Sequence, residues 1–220
     1  MKIAIIGSGI SGLTAAYILS RKNDITVFEK NDYIGGHTHT HEIEEEGKTV
    51  SVDSGFIVYN ERTYPNFINI LNKLGVQSQL TRMGFSVKSE KDNLEYAGHS
   101  LDGLFAQRSN LIRPSFLKIL YGMARFNSKA RKDLPHLIPE VTLGEYLYSN
   151  NYSKEFIKNY IIPIGAAIWS TVPDDMLEIS AIFFIRFFDN HGLLQIIDRP
   201  NWWVIKGGSK KYIEKMILNW

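Results

Sequence analysis

The chain has 220 residues, a hydrophobic content of 44% and a formal net charge of +2 at pH 7, which are typical of a globular protein with a substantial apolar core. This charge gives no sign of a nucleic-acid partner, and we predict none. The chain contains no cysteine, which excludes disulfides, thiol catalysis, iron–sulfur clusters and a flavin attached through cysteine.

The first twenty residues, MKIAIIGSGISGLTAAYILS, join a short apolar run to an alanine-rich stretch through a cluster of glycines. The run from Lys2 to Ile6 predicts a strand buried on both faces, and Leu13 to Leu19 predicts a helix. Gly7, Gly9 and Gly12 have the spacing G-x-G-x-x-G, which allows a tight turn, close approach of a pyrophosphate and close packing of helix on strand. We therefore predict an anion site at the helix N-terminus, with a diphosphate as its natural ligand.

A second strand is predicted in the segment ITVFEK, which reaches Glu29. Glu29 follows Gly12 at close to the usual distance of about 20 residues for an acid that accepts hydrogen bonds from the ribose of an adenosine. Its charge would repel a 2′-phosphate, which disfavours NADP but leaves NAD and FAD open. The competing interpretation is a nucleotide-free βαβ unit in which the glycines only form turns. The order strand, glycines, helix and acid favours the nucleotide site.

The segment after Glu29 reads KNDYIGGHTHTHEIEEEGKTVSVDSGFIVYN and contains Gly35–Gly36 and then Asp53-Ser54-Gly55. This combination resembles the FAD-binding half of the flavin amine oxidase and phytoene desaturase superfamily. The segments VDSGFIVYNERTYPNFINILNKLGV, GFSVKSEKDNLEYAG and WWVIKGGSKKYIEKM are similar to a bacterial group of NAD/FAD-binding oxidoreductases, often encoded beside cyclopropane-fatty-acyl synthases. The resemblance extends along nearly the whole chain. It implies FAD as the cofactor and says little about the substrate.

The resemblance also implies which residues contact FAD. They are Gly7, Gly9, Ile10, Ser11 and Gly12 in the pyrophosphate loop, Glu29 at the ribose with Lys30 beside it, Gly35, Gly36, His37 and Thr38 in the second glycine segment, and Gly55, Phe56 and Ile57 near the isoalloxazine ring. The superfamily pattern R-x-G-G-R-x-x-S/T is kept at its end by Thr40, but Tyr33 and His37 stand where its arginines would be. His37 could still donate a hydrogen bond, but the fixed positive charge is lost, which weakens the similarity to the amine-oxidising members.

The rest of the chain predicts further elements in order. They are a hairpin of residues 39–43 with 49–53, a helix over 63–74 ending at Gly75, a hairpin of 85–88 with 94–96, helices in FLKILYGMARFNSKARKDL, TLGEYLYSN, SKEFIKNYIIPIGAAIWS and SAIFFIRFFDNHGLL, a strand WWVIK, and a helix from Ser209 to Trp220. The predicted fold class is α/β. It comprises a Rossmann-like FAD-binding domain, residues 1–80 and 200–220, and an inserted, mostly helical (α+β) substrate domain, residues 81–199. Two strands and a returning strand do not complete a parallel sheet, so we expect a fragment of a longer protein.

Three other patterns have competing interpretations. His37, His39 and His41 have a spacing that a metal could use, but no acid or cysteine accompanies them at ligand spacing, so we predict a strand beside the cofactor and no metal site. The segment FLKILYGMARFNSKARK predicts a core-facing helix with a basic outer face, with peripheral contact to an anionic membrane as the alternative. The aromatic residues of IFFIRFFDNHGLL either fill a core, which we favour, or line a tunnel for an acyl chain.

We expect an FAD-dependent oxidoreductase that transfers a hydride from an apolar, lipid-like small molecule to flavin, as a desaturase, isomerase or reductase. The alternatives are an amine oxidase acting on a small amine and a non-catalytic flavin-binding module. No Ser-His-Asp or Cys-His set is apparent, so no catalytic residue is predicted. The initial apolar run is interrupted by glycines of the cofactor loop and no stretch reaches the length of a membrane span, so the expected location is the cytoplasm. The oligomeric state stays open.

Overall fold

The computed structural model describes residues 1–195 and 199–218. The chain divides into two compact units, which we call the N-terminal unit, Met1–Arg82 with Asn201–Trp220, and the helical unit, Met83–Pro200. Residues 219 and 220 of the predicted last helix lie outside the described part. The predicted fold class, a Rossmann-like domain combined with a mostly helical region, is confirmed.

Strands predominate up to residue 97, and helices predominate from residue 101 to residue 190. In chain order the elements are β1 (Lys2–Ile6), α1 (Ile10–Leu19), β2 (Asp24–Phe28), β3 (Thr40–Glu45), β4 (Lys48–Asp53), β5 (Tyr59–Asn60), α2 (Pro65–Leu74), β6 (Ser78–Thr81), β7 (Ser86–Ser89), β8 (Leu94–Ala97), α3 (Leu101–Leu104), α4 (Pro114–Asp133), α5 (Leu143–Ser149), α6 (Lys154–Phe156), α7 (Ile162–Trp169), α8 (Ala181–Asn190), β9 (Trp202–Ile205) and α9 (Lys210–Ile217). Short 3₁₀ turns lie at Arg108–Ile112, Leu134–His136 and Pro173–Leu177, and a π-helical turn, Ile157–Ile161, joins α6 to α7.

The N-terminal unit begins with the predicted strand–helix–strand arrangement. Strands β1 and β2 are parallel, with Ile6 opposite Phe28, and α1 packs against the pair. The prediction that β1 is buried on both faces is wrong, because α1 covers the face of Ile5 whereas Ile6 is 82% exposed. Phe28 on the neighbouring strand is 53% exposed. One face of this two-stranded sheet therefore remains uncovered by the described residues.

Two antiparallel arrangements complete the N-terminal unit. The predicted hairpin forms between β3 and β4, with Thr40 opposite Asp53. The returning strand β9 does not join β1 and β2; it lies between β5 and β6 in a three-stranded antiparallel sheet. A small apolar core connects α1, α2, β9 and α9 through Leu13, Leu71, Ile205, Tyr212 and Met216. This core holds α9 beside the segments that follow β2.

The helical unit is organised around aromatic side chains. Phe116, Ile119 and Phe126 of α4 are buried, as are Phe184, Ile185 and Phe188 of α8, and they belong to one apolar cluster. The predicted core-facing roles of both helices are therefore confirmed. No helix in the described residues combines the length and the apolar character needed to cross a membrane.

The outer face of α4 carries both apolar and charged side chains. Leu117 is 45% exposed and Tyr121 is 71% exposed. Three of the five cations on this helix pair with acids, Lys118 with Glu155 at 2.8 Å, Lys129 with Asp133 at 2.9 Å and Arg131 with Asp189 at 2.8 Å. Because acids neutralise these three cations, the positive charge predicted from the sequence for this face is partly balanced in the folded unit.

Candidate cofactor-binding site

The first glycine cluster connects β1 to α1 in a tight backbone turn. Gly7 has φ of +94°, and its amide donates to the Phe28 carbonyl at 2.7 Å, which ties the loop to the end of β2. A Cβ atom on Gly12 would lie 2.0 Å from the carbonyl oxygen of Gly7. Since the Gly7 oxygen belongs to the backbone and cannot move aside, only a residue without a side chain fits at position 12. The predicted close packing of helix on strand is present.

The start of α1 is free of side-chain caps in the described structure. The helix begins at Ile10 with Gly9 as its N-cap, and its first turn carries no acidic residue. The leading amides of a helix have no acceptor within the helix and lie at the positive end of its dipole. The amides of Ile10, Ser11 and Gly12 can therefore donate to an anion.

Glu29 lies directly after β2 and is held by four donors. Its Oε1 accepts from the amides of Lys30 at 2.7 Å and Asn31 at 2.9 Å. Its Oε2 accepts from the Ser8 amide at 2.9 Å and from the Ser8 hydroxyl. These hydrogen bonds, led by that from the Asn31 amide and followed by that from the Ser8 hydroxyl, lower the pKa of Glu29 to about 2. The carboxylate is therefore ionised at neutral pH, as the predicted contact with a ribose requires.

The second glycine segment contacts the first. A Cβ atom on Gly36, which has φ of +60°, would lie 3.0 Å from the Gly9 Cα atom. The Gly35 amide donates to the Ser8 hydroxyl at 3.2 Å. The structure thus brings the pyrophosphate loop, Glu29 and the Gly35–Gly36 pair together in the N-terminal unit.

The segment after the glycine pair divides between exposed and buried side chains. His37 is exposed, whereas the side chain of Thr38 is 5% exposed and forms a hydrogen bond with the Tyr212 hydroxyl. The carbonyl of His37 accepts from the Phe56 amide at 3.1 Å. This bond places the predicted ring-facing segment, Gly55, Phe56 and Ile57, alongside the second glycine segment. The Lys30 amide donates to the Glu29 carboxylate, and the Lys30 side chain is exposed.

Two of the three histidines, His39 and His41, form an aromatic cluster with Tyr33. The ring centroids of His39 and His41 lie 4.2 Å apart, and Tyr33 stacks on His39 at 4.3 Å. Within residues 1–195 and 199–218, no group of three or more His, Cys, Asp or Glu side chains is arranged to hold a metal ion. The cluster therefore provides aromatic surface and hydrogen-bonding nitrogens beside the second glycine segment.

The sequence did not identify several residues that organise this region. Ser8 occupies an unspecified position of the motif, so its spacing carried no signal. Asp53 was noted only as part of a strand end, yet its carboxylate accepts from the Ser209 amide at 2.9 Å and from the Ser209 hydroxyl at 2.8 Å. Thr40 donates to Asp53 and accepts from the Lys210 amide at 2.9 Å, so this network holds the start of α9. Its acid and hydroxyls lie far apart in sequence, which is why no local pattern indicated them.

A glycine turn at a helix start, facing a strand-end carboxylate, defines a Rossmann-like dinucleotide-binding unit. Comparison with known proteins agrees, since residues 5–74 match the family described as an NAD(P)-binding Rossmann-like domain. The chain is 56% identical over 43 residues to a 1-hydroxycarotenoid 3,4-desaturase from Flavobacterium sp., covering 19% of this chain and 9% of the desaturase. It is 32% identical over 80 residues to a flavin-dependent L-tryptophan oxidase from Lentzea aerocolonigenes, covering 36% of this chain and 17% of the oxidase.

Solved structures extend the likeness of fold to almost the whole chain. Cyclohexylamine oxidase from Brevibacterium oxydans matches 98% of this chain with a TM-score of 0.67 and 20% identity. A fatty acid isomerase from P. acnes that produces CLA matches 97% with a TM-score of 0.62 and 16% identity. This chain spans 48% of each of those two chains. Together with the local sequence matches to a carotenoid desaturase and a flavin-dependent tryptophan oxidase, this shared fold confirms the resemblance to the flavin amine oxidase and phytoene desaturase superfamily.

Proposed function

We propose that the N-terminal unit binds FAD through its ADP end. The observation that carries this proposal is the contact of three parts: the glycine loop with its free helix-start amides, the ionised Glu29 and the Gly35–Gly36 pair. Their chemistry fits the cofactor, because backbone amides suit a diphosphate and a carboxylate suits ribose hydroxyls. The likeness to a protein named as a flavin-dependent oxidase supports FAD over NAD.

In this proposal the backbone of Gly7, Gly9 and Gly12 gives the pyrophosphate close access to the amides of Ile10 and Ser11. Glu29 accepts hydrogen bonds from the ribose, and the segment from Gly55 to Ile57 provides the backbone nearest the isoalloxazine ring. When bound, FAD would supply the redox chemistry by accepting a hydride, with a proton lost from the substrate when a C=C double bond forms. The chain's own part is to bind, orient and exclude water, and we assign no catalytic residue.

For the whole protein we propose an oxidoreductase acting on an apolar, lipid-like substrate. Two similar proteins support this class by their names, one a carotenoid desaturase and the other a fatty acid isomerase. The aliphatic and aromatic character of the helical unit, which we propose as the substrate domain of residues 81–199, is compatible with an oily ligand.

An amine oxidase is the second candidate, because cyclohexylamine oxidase and a tryptophan oxidase are among the similar proteins. Tyr33 and His37, which replace both arginines of the superfamily pattern, argue against it. A non-catalytic flavin-binding module is the third candidate.

Contact with a membrane surface through α4 has less support than the sequence suggested, because acids pair with Lys118, Lys129 and Arg131. A cytoplasmic location stays a prediction.

The test is titration of the purified chain with FAD, followed by absorbance and by quenching of flavin fluorescence. We expect saturable binding and a yellow complex that dithionite bleaches. Bleaching by simple amines under anaerobic conditions would favour the amine oxidase, whereas bleaching by unsaturated or saturated fatty acyl compounds would support the lipid-like substrate. A folded chain that binds no FAD would contradict the proposal, and circular dichroism establishes whether the chain is folded.

A further inference from the structure

Ser8 lies inside the glycine loop and is 1% exposed. Its hydroxyl donates to Glu29 Oε2 and accepts from the Gly35 amide at 3.2 Å, and its own amide donates to the same Glu29 oxygen at 2.9 Å. One side chain thus connects the candidate ribose acid to both glycine segments.

The acceptor sites of Glu29 are all used by the protein itself. An ionised carboxylate offers about four lone-pair sites, two on each oxygen. Oε1 receives the amides of Lys30 and Asn31, and Oε2 receives the amide and the hydroxyl of Ser8. A ribose hydroxyl that donates to Glu29 must therefore replace one of these four donors.

The four donors differ in how easily they can leave. Three are backbone amides, whose positions are fixed by β1, β2 and the turn after β2. The fourth is a hydroxyl on a single rotatable bond, which can move to another staggered position without any change in the backbone. The Ser8 hydroxyl is therefore the donor that an incoming ribose can displace.

We propose that the Ser8 hydroxyl occupies the position on Glu29 Oε2 that a ribose hydroxyl takes, so that Ser8 sets the nucleotide affinity of the site by competition. This inference rests on the proposed FAD site. Ser8 acts through Glu29 and is a positioning residue. Because displacement also removes the acceptor of the Gly35 amide, rotation of Ser8 couples entry of the ribose to the second glycine segment.

The test compares Ser8→Ala with the wild-type chain for two probes, ADP and 2′,3′-dideoxy-ADP, by isothermal titration calorimetry. Without the competing hydroxyl, ADP should bind about tenfold more tightly, in keeping with the usual worth of a hydrogen bond to a charged group. The dideoxy nucleotide, which has no ribose hydroxyls, should bind both proteins equally. Ser20→Ala is the matched control, because the Ser20 hydroxyl donates to the Tyr17 carbonyl at the far end of α1.

Unchanged or weaker ADP binding in Ser8→Ala would overturn the inference. An equal gain in affinity for ADP and for the dideoxy nucleotide would also overturn it, because the gain would then come from contacts with the phosphates and not with the ribose hydroxyls. A second measurement needs no nucleotide: carbon-13 NMR titration should show a higher pKa for Glu29 in Ser8→Ala and no change in Ser20→Ala. An unaltered Glu29 pKa would show that the Ser8 hydroxyl does not donate a hydrogen bond to this carboxylate. Wild-type protein that binds neither FAD nor ADP would overturn the proposed function as well, whereas normal FAD binding without the Ser8 effect overturns this inference alone.

Discussion

Different kinds of contact stabilise the interior of each unit. In the N-terminal unit, the described contacts around the glycine segments are backbone approaches and hydrogen bonds to carboxylates, as at Gly12 and Glu29. In the helical unit, rings pack on rings around Phe126, which is fully buried. Ring packing yields stability through apolar burial, whereas fixed amides and carboxylates yield a defined charge pattern. The difference indicates that substitutions in the helical unit should change stability alone, whereas substitutions around the glycine segments should also change ligand affinity.

The largest expected loss of stability is in the helical unit, from Phe126→Ala. The Phe126 ring contacts the rings of Tyr146, Tyr152, Phe156, Phe184 and Phe188. Its truncation leaves a cavity among them and should lower the free energy of unfolding by about 3–5 kcal/mol, measured by urea denaturation. Tyr121→Ala is the control, because Tyr121 is 71% exposed and should change stability by less than about 0.5 kcal/mol. A loss below about 1 kcal/mol for Phe126→Ala would contradict the aromatic core.

A pair of glycine substitutions sharpens the comparison. In Gly12→Ala the new Cβ would meet the Gly7 carbonyl oxygen at 2.0 Å, and in Gly122→Ala it would meet the Phe156 ring at 2.4 Å. Both should destabilise their own unit by about 1–3 kcal/mol through overpacking. Only Gly12→Ala should abolish FAD binding, because only that change displaces the amides at the start of α1. Equal loss of FAD binding in the two folded variants would break the distinction between the units.

The sequence predicted the local arrangement of the glycine loop and Glu29 better than it predicted the sheets. Glycine spacing and the following acid are local patterns with a direct backbone consequence, so Gly7, Gly12 and Glu29 came together as expected. Strand partners depend on distant segments, and the polar run of β6 gave no strand signal, although β6 pairs with β9. The exposure of Ile6 was missed for the same reason, since an apolar run does not reveal which of its faces is covered.

The helices show a similar limit. The segment SKEFIKNYIIPIGAAIWS predicted one helix, but α6 and α7 are separated by a π-helical turn. Pro163 has no amide to donate to the Asn159 carbonyl one turn earlier, and the Tyr96 hydroxyl donates to that carbonyl instead, at 2.7 Å. The proline was visible in the sequence, whereas the tyrosine that replaces its missing donor comes from β8 and could not be paired with it.

The next effect concerns charge and affinity in the N-terminal unit. Glu29→Ala should weaken FAD binding by about ten- to a hundredfold, because hydrogen bonds from the ribose to a charged acceptor are lost. Fluorescence titration measures the change. Lys22→Ala offers a control on the same strand–helix–strand segment, since Lys22 is exposed and outside the candidate site. Unchanged affinity in Glu29→Ala would show that the ribose assignment is wrong.

The pH dependence of stability gives an independent check on Glu29. Its folded pKa, about 2, lies below the ordinary value of 4.5, so its contribution to stability is fully present above pH 4.5. That contribution should disappear as the pH falls from 4.5 toward 2, when the carboxylate is protonated in the folded chain as well. The difference in unfolding free energy between the wild-type chain and Glu29→Gln should therefore be constant above pH 4.5 and shrink below it. A difference that grows on acidification would contradict the hydrogen-bond account.

The smallest expected effect compares two buried tyrosine hydroxyls, one in each unit. The Tyr212 hydroxyl forms a hydrogen bond with the Thr38 hydroxyl, and the Tyr96 hydroxyl donates to the Asn159 carbonyl. Tyr212→Phe and Tyr96→Phe should each cost about 0.5–1.5 kcal/mol of unfolding free energy, because each leaves a buried acceptor or hydroxyl without its partner. The Thr38 amide also donates to the Gly35 carbonyl at 3.1 Å. Loss of the Tyr212 hydroxyl should therefore also make the backbone of the second glycine segment less rigid. Tyr212→Phe should therefore weaken FAD binding severalfold, whereas Tyr96→Phe should leave it unchanged. Weakening of FAD binding by Tyr96→Phe but not by Tyr212→Phe would reverse the roles assigned to the two units.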